Sequence, residues 1–162
     1  ARRVLSKYEN LSGRVTFEDG DATKLEFNTD EFDASICLHD VLNHIPDYPV
    51  ALNEMARVTS GFNITSVHGC NAPETCFFIE KDKIASYRRE GDVVHLTDMD
   101  GRQYQVYFHL FKASDLAGAF DKFFLVRDEA GIKLDGTVCR EMGSIDCSEH
   151  IIIYSKVKNG AP

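Results

Sequence analysis

Apolar positions along the chain change their period several times, and each change marks an element. Val4, Leu5 and Tyr8 share one side of a helical turn, so residues 1–8 are expected to end a helix before Gly13. Val15-Thr16-Phe17-Glu18 predicts a short strand, closed by the turn-rich Asp19-Gly20-Asp21-Ala22. Phe32 to Leu38 is a short, mostly apolar run, which predicts a strand covered on both faces. After His44-Ile45, Asp47 is placed to cap a helix, Pro49 is tolerated in its first turn, and Val50, Ala51, Leu52, Met55, Ala56 and Val58 supply its apolar face. That helix should stop before Gly61, read as the left-handed residue after a helix, and Phe62 to Val67 follows as a third strand. Strand, helix, strand with short connections is the pattern of a crossover unit in a parallel sheet.

The middle of the chain switches to strict alternation. Asp92 to Leu96, a turn at Asp98-Met99-Asp100-Gly101, and Gln103 to Leu110 predict an antiparallel hairpin inserted at about 91–110. Ser114 is placed to cap a short helix carrying Leu116, Ala117 and Phe120, ahead of a strand at Phe123 to Val126. The β-branched run from His150 to Ser155 reads as a buried strand, antiparallel to its predecessor.

Composition narrows what such an α/β domain can do. The 162 residues suit one core, and 43% hydrophobic with 27% charged residues is an ordinary globular balance. Eighteen Lys and Arg against twenty-six Asp and Glu leave a net charge of −8, which argues against a nucleic-acid partner held through phosphates. No apolar run approaches the roughly 18 residues of a membrane span, and the first residues develop no signal peptide, so a soluble, cytoplasmic protein is expected. Five cysteines, odd in number and irregularly spaced, read as reduced thiols.

In an open parallel sheet ligands bind beyond the carboxyl ends of the strands, which draws attention to 19–23, 37–44 and 67–70. Three motifs occur there in order: Phe17-Glu18-Asp19-Gly20-Asp21-Ala22, then Glu31-Phe32-Asp33 leading to Leu38-His39-Asp40-Val41-Leu42-Asn43-His44, then Glu54-Met55-Ala56-Arg57-Val58. Together they resemble the middle of a class I S-adenosylmethionine-dependent methyltransferase, strongly over residues 1–68 and mainly by strand order from 111 to 157. The resemblance implies a Rossmann-like sheet holding the family's strands three to seven, with S-adenosylmethionine as cofactor and a small-molecule methyl acceptor. It implies that Asp21 accepts a hydrogen bond from the adenine amino group while the Ala22 N–H meets a ring nitrogen, a task suited to a group that only accepts. Leu38 and His39 would lie against the methionine part, and His44 would face the acceptor, with His39 and His44 the candidates for a base.

Plainer readings stand beside these. Taken alone, Asp21 is a turn residue that bonds its own backbone, and His39 and His44 are structural groups near a mouth. His68-x-Cys70 with Cys76 lacks the paired spacing of structural zinc, so no metal is expected. Arg88-Arg89 reads as a solvated pair. The hairpin, with Tyr104, Tyr107, Phe108 and His109, either roofs the acceptor or forms an edge ribbon or dimer surface. The family's G-x-G-x-G loop and its first two strands have no counterpart here, and the chain opens on Ala1. In the family order 3-2-1-4-5-7-6 their loss leaves a gap beside strand four. The expectation is the larger part of such a domain lacking its amino-terminal strands, a gap filled by a partner or swapped segment, or a truncated relative acting as a non-catalytic binding or oligomerisation module.

Overall fold

The structure, a computed structural model, describes residues 14–38, 40–70, 83–133, 135–141, 145 and 150–158. In chain order the elements are β1 (Phe32–Cys37), a 3-10 turn (Leu42–His44), α1 (Tyr48–Val58), β2 (Thr59–His68), β3 (Ile84–Glu90), β4 (Val93–Asp98), β5 (Gln103–Tyr107), α2 (Ala113–Phe120), β6 (Phe124–Ile132), β7 (Val138–Cys139) and β8 (His150–Val157). The main sheet runs β1-β2-β8-β6-β7. β1 and β2 are parallel, as a strand–helix–strand crossover requires, and β8 lies antiparallel between β2 and β6. Across β1, β2, β8 and β6 this is the 4-5-7-6 order expected from the motifs.

The main sheet holds the core. Ile151 and Ile153 of β8 are fully buried, and Tyr154 next to them is exposed, so the run from 150 alternates faces. Leu42, Leu52, Phe111, Leu116, Phe120 and Phe124 close around those isoleucines from the turn, both helices and the connection into α2. Each such side chain stabilises the fold by about 1.5–3 kcal/mol relative to exposure. No helix among the described residues is long and apolar enough to cross a membrane.

Several local expectations change. Residues 15–20 carry no strand among the described residues, and Val15 and Phe17 are exposed. β1 is not covered on both faces, since Ile36 is 64% exposed and β1 pairs only with β2 among the described residues. Gly61 lies inside β2 instead of ending the helix. A Cβ there would stand 2.2 Å from the Asp33 carbonyl oxygen, so glycine is needed for close backbone approach, beside a register shift in β1. Helix α1 instead ends at Val58, where Thr59 turns extended.

The predicted hairpin is present as β4–β5, with Gly101 at φ 79° and the Asp98 carboxylate accepting from the Asp100 and Arg102 amides. A strand not foreseen, β3, joins it to make a three-stranded antiparallel sheet, turning at Gly91 (φ 59°). Arg89 is accordingly not a solvated residue: its guanidinium donates to the carbonyls of Gly91 and Phe108. Arg88 does remain exposed, beside Glu90. Helix α2 starts at Ala113, placing Ser114 inside its first turn, and β6 runs on to Ile132. The helix expected over residues 1–8 lies outside the described residues.

Candidate active site

The chain after β1 has to turn sharply to reach α1, and Asp40 does so at φ 65°, a conformation open to aspartate at modest cost. Its carboxylate Oδ2 lies 2.8 Å from Nε2 of His68, the buried last residue of β2. The two parallel strands are therefore tied at their carboxyl ends by side chains as well as by the ladder.

Asn43, fully buried in the 3-10 turn, ties a third element to them. Its Nδ2 donates to the carbonyls of His68 (3.2 Å) and His109 (2.6 Å), and its Oδ1 accepts from the His68 amide (3.1 Å). The His109 amide donates back to the Asn43 carbonyl at 2.7 Å, and the Phe111 amide reaches the His68 carbonyl. The end of β5 is thus drawn over the ends of β1 and β2. This bracket had no sequence signal, since a lone Asn between Leu42 and His44 belongs to no spacing pattern.

Around the bracket lies a cluster of polar aromatic groups. His44 is exposed, donates from Nδ1 to the Tyr107 carbonyl at 3.0 Å, and meets the Phe108 ring edge-on. Tyr48, at the start of α1, stacks on His109 with centroids 5.9 Å apart and meets the Phe111 ring edge-on. Burial, and then the Asp115 charge, hold the Tyr48 hydroxyl above the usual tyrosine range; burial and then Asp92 do the same for Tyr107. Cys37, at the end of β1, is pushed up by burial to about 11 and remains a thiol.

The predicted adenine residues form a separate, self-contained turn. Asp21 Oδ1 accepts from the Thr23 amide (2.8 Å) and hydroxyl (2.7 Å), and the Thr23 hydroxyl, then its amide, hold the carboxyl below the usual range. The plain reading of Asp21 is therefore correct as far as Oδ1 goes, while Oδ2 makes no hydrogen bond among the described residues. Ala22 packs on the core cluster. The segment from Leu25 to Phe27, just past this turn, is clamped to α1. Arg57 donates to the carbonyls of Phe27 (2.8 Å) and Leu25 (2.9 Å), and Glu54 accepts from the Leu25 amide (2.8 Å) while paired with Arg57 (2.8 Å).

Leu38 stands exposed just beyond β1. His39 and Cys76 lie outside the described residues. The described contacts join His44 to the antiparallel sheet and leave the Asp21 turn apart from it. No group of three or more His, Cys, Asp or Glu able to hold a metal occurs among the described residues.

Residues 1–61 match the family described as "Methyltransferase domain". No curated protein matches the chain. Among solved structures, the chain is similar to a protein of Pyrococcus horikoshii at 17% identity and TM-score 0.68, covering 97% of this chain and 68% of that one. It is similar to an S-adenosylmethionine-dependent methyltransferase of Clostridium acetobutylicum at 14% identity and TM-score 0.62, covering 98% and 73%. A third is the 1,6-didemethyltoxoflavin-N1-methyltransferase of Burkholderia thailandensis with bound 1,6-didemethyltoxoflavin and S-adenosylhomocysteine, at 14% identity and TM-score 0.53, covering 98% of this chain and 56% of that one. The β1-α1-β2 unit and the antiparallel β8 give this chain the fold of these solved structures, and its residues 1–61 match the methyltransferase domain family.

Proposed function

We propose that this chain serves S-adenosylmethionine-dependent methyl transfer to a small-molecule acceptor. The observation that carries this reading is the polar aromatic cluster under β3–β5 that Asn43 ties to the carboxyl ends of β1 and β2, supported by the methyltransferase match over residues 1–61. Asp21 Oδ2 and the Ala22 N–H form no hydrogen bond among the described residues, which fits an adenine edge that both donates and accepts. Asp21 and Ala22 would hold the adenine, Leu38 and His39 the methionine part, and His44 the acceptor side. When bound, the cofactor supplies a methyl group on a positively charged sulfur.

What this chain's residues add is position. The transfer needs acceptor and methyl group in line, so a rigid frame contributes more than acid–base chemistry does. The Asn43 bracket fixes the cover relative to β1 and β2, and the Glu54–Arg57 clamp fixes the approach to the Asp21 turn. The Burkholderia relative, bound to a small heterocyclic acceptor, supports an acceptor of similar scale.

Calorimetric titration with S-adenosylhomocysteine tests the reading. Asp21→Ala is expected to weaken binding roughly 5- to 150-fold, the range that loss of one hydrogen bond to a charged group spans. Unchanged affinity would remove Asp21 from the site, and absence of binding with or without further upstream sequence would leave the non-catalytic binding module as the better reading.

A further inference from the structure

We propose that His109, held by Asp92, is the proton acceptor of the methyl-transfer site; this rests on the methyltransferase reading above and assigns the base to a residue of the cover. His109 Nδ1 donates to Asp92 Oδ2 at 2.9 Å. A proton fixed on Nδ1 leaves Nε2 as the accepting nitrogen of the neutral ring. Nε2 makes no hydrogen bond among the described residues, and the side chain is 29% exposed, so it is within reach of a ligand.

The surroundings are those of an oriented base. Asp92, on the β3–β4 turn, also receives the Tyr107 hydroxyl at 3.4 Å, and Arg89 of β3 stands 3.8 Å from its other oxygen. Tyr48 of α1 stacks on one face of the imidazole, and Phe111 meets it edge-on with centroids 4.6 Å apart. Asp115 of α2 also acts on Tyr48 through its charge. The His109 backbone is pinned through Asn43 at the carboxyl end of β1, where this type of sheet binds its ligands.

His44 is the natural rival, since its Nδ1 also donates and it too lies under the cover. Its partner is the Tyr107 carbonyl, a neutral acceptor. When Nε2 takes a proton the ring becomes a cation, and a carboxylate on the far nitrogen stabilises that cation far more than a carbonyl does. In the step proposed, the acceptor's O–H or N–H bond breaks toward His109 Nε2 while its new bond to the methyl carbon forms. The electron pair of the broken C–S bond stays on the donor's sulfur.

Two measurements on the full chain decide this. Long-range proton–nitrogen NMR is expected to find the neutral His109 ring protonated on Nδ1, and Asp92→Ala to move that proton to Nε2. An Nε2–H ring in the unsubstituted chain, or one unaffected by Asp92→Ala, overturns the dyad. Transfer from labelled S-adenosylmethionine is then measured to phenol, which must lose a proton, and to pyridine, which has none to lose. His109→Gln is expected to slow transfer to phenol about 100-fold and transfer to pyridine less than about twofold, with His44→Gln affecting both alike. Equal loss on both probes, or no loss on phenol, overturns the proposal. Absence of transfer to both by the unsubstituted chain counts against the methyl-transfer reading itself, and the NMR result, which needs no acceptor, still tells the two failures apart.

Discussion

The Asp21 turn and the cluster under β3–β5 are built in different ways. At Asp21 the side-chain bonds are local, with Thr23 reaching back two residues, while Glu54 and Arg57 hold the segment from Leu25 to Phe27 across 29 to 32 residues. In the cluster the bonds are longer: Asn43 reaches 66 residues on to His109, and His44 reaches 63 residues on to Tyr107. A turn that satisfies its own polar groups can be kept while the rest of the domain changes. A sheet tied by long-range bonds is set in place by the residues that make them, Asn43 above all.

The largest separation between the two is expected from Asn43→Ala. It removes the three hydrogen bonds of the Asn43 side chain to His68 and His109, a loss of about 3 kcal/mol by urea unfolding. Amide exchange in β5 should rise much more than exchange at Thr23. A uniform rise across both regions would break the distinction.

Arg57→Ala is the reciprocal test, with an expected fall in the urea midpoint smaller than that of Asn43→Ala, because its bonds lie nearer the surface. Here the residues from Leu25 to Phe27 should loosen, S-adenosylhomocysteine affinity should fall with them, and β5 exchange should stay as it was. The smallest effect is on pH. The Arg57 hydrogen bonds lead in holding the Glu54 carboxyl below its ordinary value, aided by the Leu25 amide. Such a group binds protons more weakly folded than unfolded, so its contribution is present above the ordinary glutamate range and is lost as pH falls through its folded value. Stability is therefore expected to fall as pH drops below the ordinary glutamate range, and Glu54→Gln should flatten that part of the profile.

Legibility followed the same division. The parallel unit, its helix with Pro49 in the first turn, and the β4–β5 hairpin at Asp98–Gly101 were readable because each is governed by local spacing and turn chemistry. β3 was missed because Ile84 to Glu90 mixes Tyr87 with Arg88, Arg89 and Glu90 and has no apolar face of its own. It is a strand because β4 supplies its partner. Gly61 was read as a helix end because glycine has several uses, and the approach of the Asp33 carbonyl that requires it is invisible in one dimension.

The sequence by itself determined the family motifs, the crossover unit and the Asp21 turn, since their information lies within spans of a few to some thirty residues. Only the tertiary structure decided that residues 15–20 stay outside the sheet, that β8 enters between β2 and β6, and that Asn43, His109 and Asp92 meet. Hydrogen bonds between distant segments depend on which backbone edges and buried polar groups the fold brings face to face, and no local pattern of residues encodes that choice.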